Sequence, residues 1–212
     1  MIIIIFGPQG SGKGTQSALI SEKTGMLAFS MGEALRNEVK KNTEIGKQVE
    51  GILAKGELVP AKITNELLLR AVNSPEAEKG IIIDGYPRDE EQLGFYSKNF
   101  HTDYAFELDL SENESINRIS TRRVCPLCGK NYNIIWIKPK IDEICDICGS
   151  KLIQRDDDKP EEVRRRLEIY NKKTLPMRRY YEGLGVLYVI DASGSIEEVN
   201  KKIMDILNGH KN

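Results

Sequence analysis

The chain has 212 residues, 40% of them hydrophobic and 30% charged, and a net charge of −1. That length suits one buried core with or without insertions, and the balance of charge excludes a global basic field for nucleic acid or anionic membrane. No stretch approaches a transmembrane helix, and the apolar start is too short and lacks the basic flank of a signal peptide, so a cytoplasmic, soluble protein is expected.

In chain order, MIIIIF (1–6) reads as a strand buried on both faces. It runs directly into Gly7-Pro8-Gln9-Gly10-Ser11-Gly12-Lys13-Gly14-Thr15, and residues 13–24 then have helical spacing. A Gly-rich loop between strand and helix turns backbone N–H groups toward phosphate oxygens, and the helix N-terminus adds its positive end. Lys13 supplies a mobile charge for β- and γ-phosphates. Gly14 stands where a P-loop usually carries the Mg²⁺-binding Ser or Thr, and Thr15 comes one residue late. Mg²⁺ must then depend on phosphates, water and another carboxylate, for which Asp84 is the candidate.

A second strand is predicted at MLAF (26–29), followed by residues 30–59, which are polar, helical and without a strand. A helix at 61–73, a strand at GIIID (80–84) and a helix at 89–98 come next. The alternation continues with a strand at YAFELDL (104–110) and a helix at 112–123. The last two elements are a strand at VLYVID (186–191) and a helix at 195–208. Strand alternating with helix predicts a parallel α/β sheet with right-handed crossovers.

Residues 122–156 break the alternation and hold every cysteine and the single tryptophan, Trp136. Cys125-x2-Cys128 and Cys145-x2-Cys148, separated by 16 residues, have the spacing of a four-thiolate zinc site. Gly129 and Gly149 follow the pairs as knuckle turns require. Two disulfides are the competing pattern, which a cytosolic setting disfavours; iron in the same cage remains open. With four protein ligands the metal would be structural. After this segment, Asp158 with Glu161 resembles a capping box opening a helix, with Val163, Leu167 and Tyr170 as its buried face. Pro176 should end or kink that helix near Thr174.

Gly12-Lys13-Gly14-Thr15 together with Asp84-Gly85-Tyr86-Pro87-Arg88 resembles the adenylate kinase family, nearly end to end and with the motifs in order. The resemblance implies a five-stranded parallel P-loop core (1–29, 60–121, 157–212), a monophosphate-binding insertion (30–59) and a zinc-bearing lid (122–156). It implies MgATP and AMP as substrates, with the ATP phosphates held by Lys13 and the loop Gly10, Ser11, Gly12, Gly14, Thr15. Arg36 and Arg88 would clamp the AMP phosphate. Gln92 would read adenine in a pocket lined by Met31, Leu58, Val59 and Gly85. Arg122, Arg155 and Arg166 would gather on the transferring group, Arg118 would cover the donor base, and Asp157 and Asp158 would position lid arginines. Asp84 would hold Mg²⁺ through water. Where the family usually has Ser-Thr-Gly-Asp, this chain has Ser30-Met31-Gly32-Glu33, so a hydroxyl is lost beside the acceptor.

The residues themselves agree with phosphoryl transfer, which needs positioning and charge neutralisation more than proton abstraction. Arginine forks suit phosphate, and neither His101 nor His210 lies in a motif. Two rivals are a kinase of the same fold acting on UMP, CMP or GMP, and a nucleotide-gated protein whose zinc ribbon grips nucleic acid. The neutral charge opposes the second. No partner protein is implied, and a monomer is the default.

Overall fold

The structure, a computed structural model, describes residues 1–209; His210 lies outside the described residues. Five parallel strands form the core: Ile2–Phe6 (β1), Leu27–Ser30 (β2), Ile81–Asp84 (β3) and Tyr104–Asp109 (β4), joined at one edge by Leu187–Asp191 (β7). Arg122–Val124 (β5) and Asn131–Asn133 (β6) make a separate antiparallel pair. The spatial order of the main sheet is β2-β3-β1-β4-β7, so the first strand lies in the middle. The chain leaves β1 toward one side, fills that side, and then crosses to the other. The crevice beyond the carboxyl end of β1 is therefore the topological switch point, where α/β sheets bind ligands.

Alternation along β1 explains both layers. Ile4 and Phe6 join Ile81, Ile83 and Ala105 in one cluster, while Ile3 and Ile5 join Ile82, Phe106 and Leu108 in the other. Helices cover both: Ala61–Val72 (α4) and Glu90–Asn99 (α5) on the first face, Lys13–Thr24 (α1) and Ile196–Gly209 (α9) on the second. Each fully buried Ile, Leu or Phe side chain contributes roughly 1.5–3 kcal/mol before the entropy of ordering the chain is counted. Register sets the site. Ile5 pairs with Asp84 and Phe6 with Glu107, so the aspartate at the end of β3 stands beside the start of the phosphate loop.

Residues 30–59 form Met31–Lys40 (α2) and Glu44–Ala54 (α3), whose Thr43 cap accepts from Gly46 N. The cysteine segment has a small core of its own, four buried residues of which two are Cys125 and Cys145. No helix among the described residues is long and apolar enough to cross a membrane.

Two expected boundaries were different. The helix predicted at 112–123 ends at Ser120 (α6, Glu112–Ser120), because Arg122 to Val124 pair with the returning strand Asn131–Asn133. Asp158 does not cap the next helix. Lys159 precedes Pro160, which opens Pro160–Ile169 (α7), and Asp158 is buried in a bidentate pair with Arg122. Proline at the first helical position was the better signal there. Val163, Leu167 and Tyr170 are buried as expected. Helical winding continues past α7 as a π turn (Tyr170–Thr174), a 3₁₀ turn (Leu175–Met177) and Arg178–Gly183 (α8), so Pro176 distorts the run as its ring requires.

Candidate active site

The loop after β1 is built for an anion. Gly7 lies at φ +150°, and a Cβ there would come within 2.5 Å of Leu108 O, so the turn into the loop admits only glycine. Gln16 N is the first amide of α1 to find an intrahelical acceptor, Gly12 O at 2.9 Å. The amides of Lys13, Gly14 and Thr15 before it stay open, as the first turn of any helix must leave them. Ser11 is buried, and its hydroxyl has no partner among the described residues.

Lys13 folds back over this loop, donating to Gly7 O (2.9 Å) and Pro8 O (2.7 Å). Burial lowers its pKa to about 8; Asp84 opposes the shift, and Arg88, Arg166 and Arg122 add to it. A Cβ on Gly14 would sit 3.7 Å from Asp84 Oδ2, so the carboxylate faces the place where the usual hydroxyl is missing. A carboxylate in that place would suit a hydrated Mg²⁺, for which Asp84 would be the protein's ligand.

Opposite the loop is a cavity lined by Met31, Arg36, Leu58, Val59, Gly85, Arg88, Gln92, Asp157 and Arg166. The loop between β3 and α5 shapes its polar end. Gly85 has φ +77°, and a Cβ there would meet Arg88 Nη2 at 2.7 Å; without one, Arg88 Nε donates to Gly85 O at 2.7 Å. Asp89 caps α5 by accepting from Gln92 N at 2.9 Å. The Gln92 side chain turns back so that Oε1 accepts from Arg88 N at 2.8 Å, one residue earlier than in a standard capping box. Its amide orientation is thereby set, since a backbone N–H must meet oxygen, and the NH₂ group is left for the cavity. Met31 is buried in the core cluster and gives the cavity an apolar wall.

From the lid side, Arg122 holds Asp158 through two hydrogen bonds, and Arg166 Nη1 is 2.8 Å from Asp157 Oδ2 and 3.6 Å from Asp158. Arg155 donates to Asn131 Oδ1 at 2.9 Å, and its buried Nε has no partner among the described residues. Burial, then Arg122 and Arg36, lowers the Arg155 pKa to about 9, while Asp157 and Asp158 oppose this. An arginine does not release its proton at neutral pH, so the crowding is a cost that an anion between these side chains would relieve.

The structure thus brings together Lys13, Arg36, Arg88, Arg122, Arg155 and Arg166. Arg118 lies apart, over the face of Trp136 (5.7 Å to the ring centroid), with Nη2 donating to Ser193 O at 3.2 Å. Sequence reasoning did not single out Trp136 as a stacking surface, nor Thr64 as a wall of the cavity. His101 is exposed and far from any of these contacts in sequence. The four cysteine sulfurs lie within 4.8 Å of one another, with Cys125 to Cys148 at 3.3 Å and Cys128 to Cys145 at 3.5 Å. In a tetrahedron with bonds of about 2.3 Å, neighbouring sulfurs would be roughly 3.8 Å apart, so the cage suits a metal held by four thiolates. Tyr132 OH contacts Cys145 at 3.5 Å and Cys128 N points at Cys125 Sγ at 3.4 Å, outer contacts that orient the ligands.

Open P-loop amides facing cations that the nearby carboxylates only partly offset need a polyanionic ligand with a second ligand beside it, and a nucleotide phosphotransferase of the P-loop class meets that need. The adenylate kinase family model matches residues 5–186. An adenylate kinase from Petrotoga mobilis is 42% identical over 98% of this chain and 97% of its own length. One from Thermotoga neapolitana is 42% identical over 97% and 96%, and one from Thermococcus kodakarensis 40% over 98% and 94%. The chain belongs to the adenylate kinase family.

Proposed function

We propose that the chain catalyses MgATP + AMP ⇌ 2 ADP by direct in-line transfer, without a phosphoenzyme. The observation that carries this is the convergence of Lys13, Arg88, Arg122 and Arg166 between the open P-loop amides and the cavity fronted by Gln92. Gly10, Ser11, Gly12, Lys13, Gly14 and Thr15 hold the donor phosphates, and Arg118 with Trp136 supports the donor base. Arg36 and Arg88 hold the acceptor phosphate. Arg122, Arg155 and Arg166 neutralise charge developing on the transferred group, and Asp157 and Asp158 keep two of these guanidiniums aimed. Bound Mg²⁺, held by phosphate oxygens and Asp84 through water, would neutralise the β- and γ-phosphates. No side chain need take the acceptor's proton, since a phosphate monoester dianion is already a nucleophile.

Gln92 sets the base. Its free NH₂ donates to adenine N1, an acceptor; guanine presents an N–H at that position, and two facing donors leave one buried and unpaired. Such a mismatch costs about 1–3 kcal/mol, enough for a preference of roughly 5- to 150-fold. The wall at Met31 favours a second outcome, a pocket that also accepts other bases, because no hydroxyl there checks the ligand.

We further read the thiolate cage as a structural zinc site in a lid of 122–156, closing with 30–59 over the core, and the protein as a cytoplasmic monomer. The sulfur separations support zinc over disulfides, and free or metal-bound thiols belong to a reducing compartment.

The test is product formation, by anion-exchange chromatography, from MgATP with AMP, GMP, CMP and UMP in separate reactions. ADP formed with AMP well ahead of the others supports the assignment of Gln92. Similar rates with several acceptors would show that Met31 marks a relaxed pocket, and no transfer to any would overturn the assignment. Metal analysis of the purified protein, expected to give one zinc per chain, checks the lid.

A further inference from the structure

We propose that Thr174 is a positioning residue for the acceptor-phosphate clamp: its hydroxyl, delivered by a π-helical turn, fixes the backbone of Arg88. Thr174 Oγ1 donates to Arg88 O at 2.8 Å across 86 residues of sequence, and Thr174 is only 6% exposed. Among the described residues it is the donor that this carbonyl has; no backbone N–H reaches it.

The local chain is wound to make this contact. α7 ends at Ile169, and over Tyr170–Thr174 the helix widens, with Leu175 N–H donating to Tyr170 O five residues back. Pro176 supplies the cause, since it has no N–H and its ring crowds the carbonyl of Lys172. A π turn takes in one more residue than an α turn and rotates the chain beyond it, and such turns are frequent at functional sites. A helical threonine normally sends its hydroxyl back to its own helix, as Thr24 does to Ile20 O at 2.7 Å. Thr174 instead reaches out of its helix to the loop between β3 and α5.

That loop has no regular structure to hold it between Gly85 and Asp89. Arg88 is fixed at three points by three different elements: its N–H by Gln92 Oε1, its Nε by Gly85 O, and its carbonyl by Thr174. A guanidinium meant to grip phosphate must be held to a fraction of an ångström by such outer contacts. The first two tethers lie within the loop and its own helix. Thr174 is the one that ties the clamp to the far side of the crevice, to the helical run that also carries Arg166.

Because this inference rests on Arg88 holding the acceptor phosphate, the experiment includes Arg88→Lys beside Thr174→Val, Thr174→Ala and Thr174→Ser in the full chain. KM and kcat are measured separately for AMP and ATP. Thr174→Val keeps the shape and loses the hydroxyl; it should raise the KM for AMP about 5-fold, the size of one neutral hydrogen bond, and leave the KM for ATP unchanged. Thr174→Ala, free of any packing clash, should do the same, and Thr174→Ser should restore the KM for AMP. A hydroxyl that merely fills the core would lower the melting temperature and leave the two substrates' KM values in their original ratio. That result, or a serine variant as impaired toward AMP as the valine one, overturns the proposal while Arg88→Lys still raises the KM for AMP. If Arg88→Lys leaves the KM for AMP unchanged, the role given to Arg88 falls and this one falls with it.

Discussion

Lys13 is the residue where burial and function oppose each other most directly. Its ammonium is held by two carbonyls and one nearby carboxylate, and burial has brought its pKa from 10.5 to about 8. The unfolded chain therefore binds more protons than the folded one between about pH 8 and 10.5, and this group's contribution to stability rises with pH across that window. A bound triphosphate favours the charged form and pulls the pKa back up. ATP binding should therefore take up a proton above pH 8 and weaken as pH rises toward 10; titration calorimetry at pH 9 in two buffers of different ionisation enthalpy should show the uptake. Binding without proton uptake at that pH would mean that Lys13 stays charged without its ligand. Gly85 gives a second test. Alanine there meets a left-handed backbone, costing roughly 1–2 kcal/mol, and puts a methyl against the Arg88 guanidinium. Gly85→Ala should lower the melting temperature by a few degrees and raise the KM for AMP tenfold or more, well beyond its effect on ATP, in steady-state assays. These two residues were legible in the sequence, because the phosphate loop and the Asp84–Arg88 segment pack their chemistry into a few consecutive positions. Thr174 was not, since a threonine two places before a proline looks like any helix end, and its partner lies 86 residues away.

At the scale of elements, legibility followed local physics. The five strands of the main sheet and the helices between them lie within a residue or two of their expected bounds, because their burial is written as apolar runs and 3.6-residue spacing. The two departures are places where a distant contact decides. Arg122 looks like the end of a helix until β6 pairs with it, and Asp158 looks like a cap until Arg122 and Arg166 reach it. Arg155 and Arg166 are a similar case; an arginine in a polar stretch reads as a solvated face, and only the resemblance to a family picked them out. The cysteine segment is legible in its ligands and silent about its stability. Its buried cluster of Cys125, Tyr132, Cys145 and Leu152 is too small to hold thirty-odd residues, while Ile135, Trp136, Ile141 and Ile147 remain exposed. A metal held by the four thiolates, as proposed, would supply the difference. Removing it with a chelator, or making Cys125→Ser, should lower the melting temperature by several degrees in calorimetry and leave transfer competent at low temperature. Loss of activity with an unchanged melting temperature would assign the metal to the chemistry instead.

For the molecule as a whole, the question is what brings the inserted parts together. Direct contacts between 30–59 and 122–156 are thin: Lys40 Nζ donates to Leu127 O at 2.9 Å and Pro126 O at 3.4 Å, while toward the core Glu57 meets Arg165 of α7 at 3.2 Å with both side chains about half exposed. Exposed pairs of this kind contribute about 0–1 kcal/mol. Against them stands the mutual repulsion of Arg36, Arg122 and Arg155, which the carboxylates of Asp157 and Asp158 only partly offset. Among the described residues the buried apolar clusters of the two segments share no member, so on the proposed function a closed arrangement would need anions in the crevice from both substrates. One substrate alone should close it incompletely, leaving arginines out of place and water within reach of the γ-phosphoryl in a geometry that gives little catalysis. Hydrolysis of MgATP without AMP should therefore run about 100-fold or more below transfer, the loss expected when one preorganised cationic donor is absent. The two rates can be compared in one assay by measuring ADP and inorganic phosphate together. Hydrolysis approaching the transfer rate would mean that ATP alone assembles the site, and that AMP contributes a nucleophile but no closure.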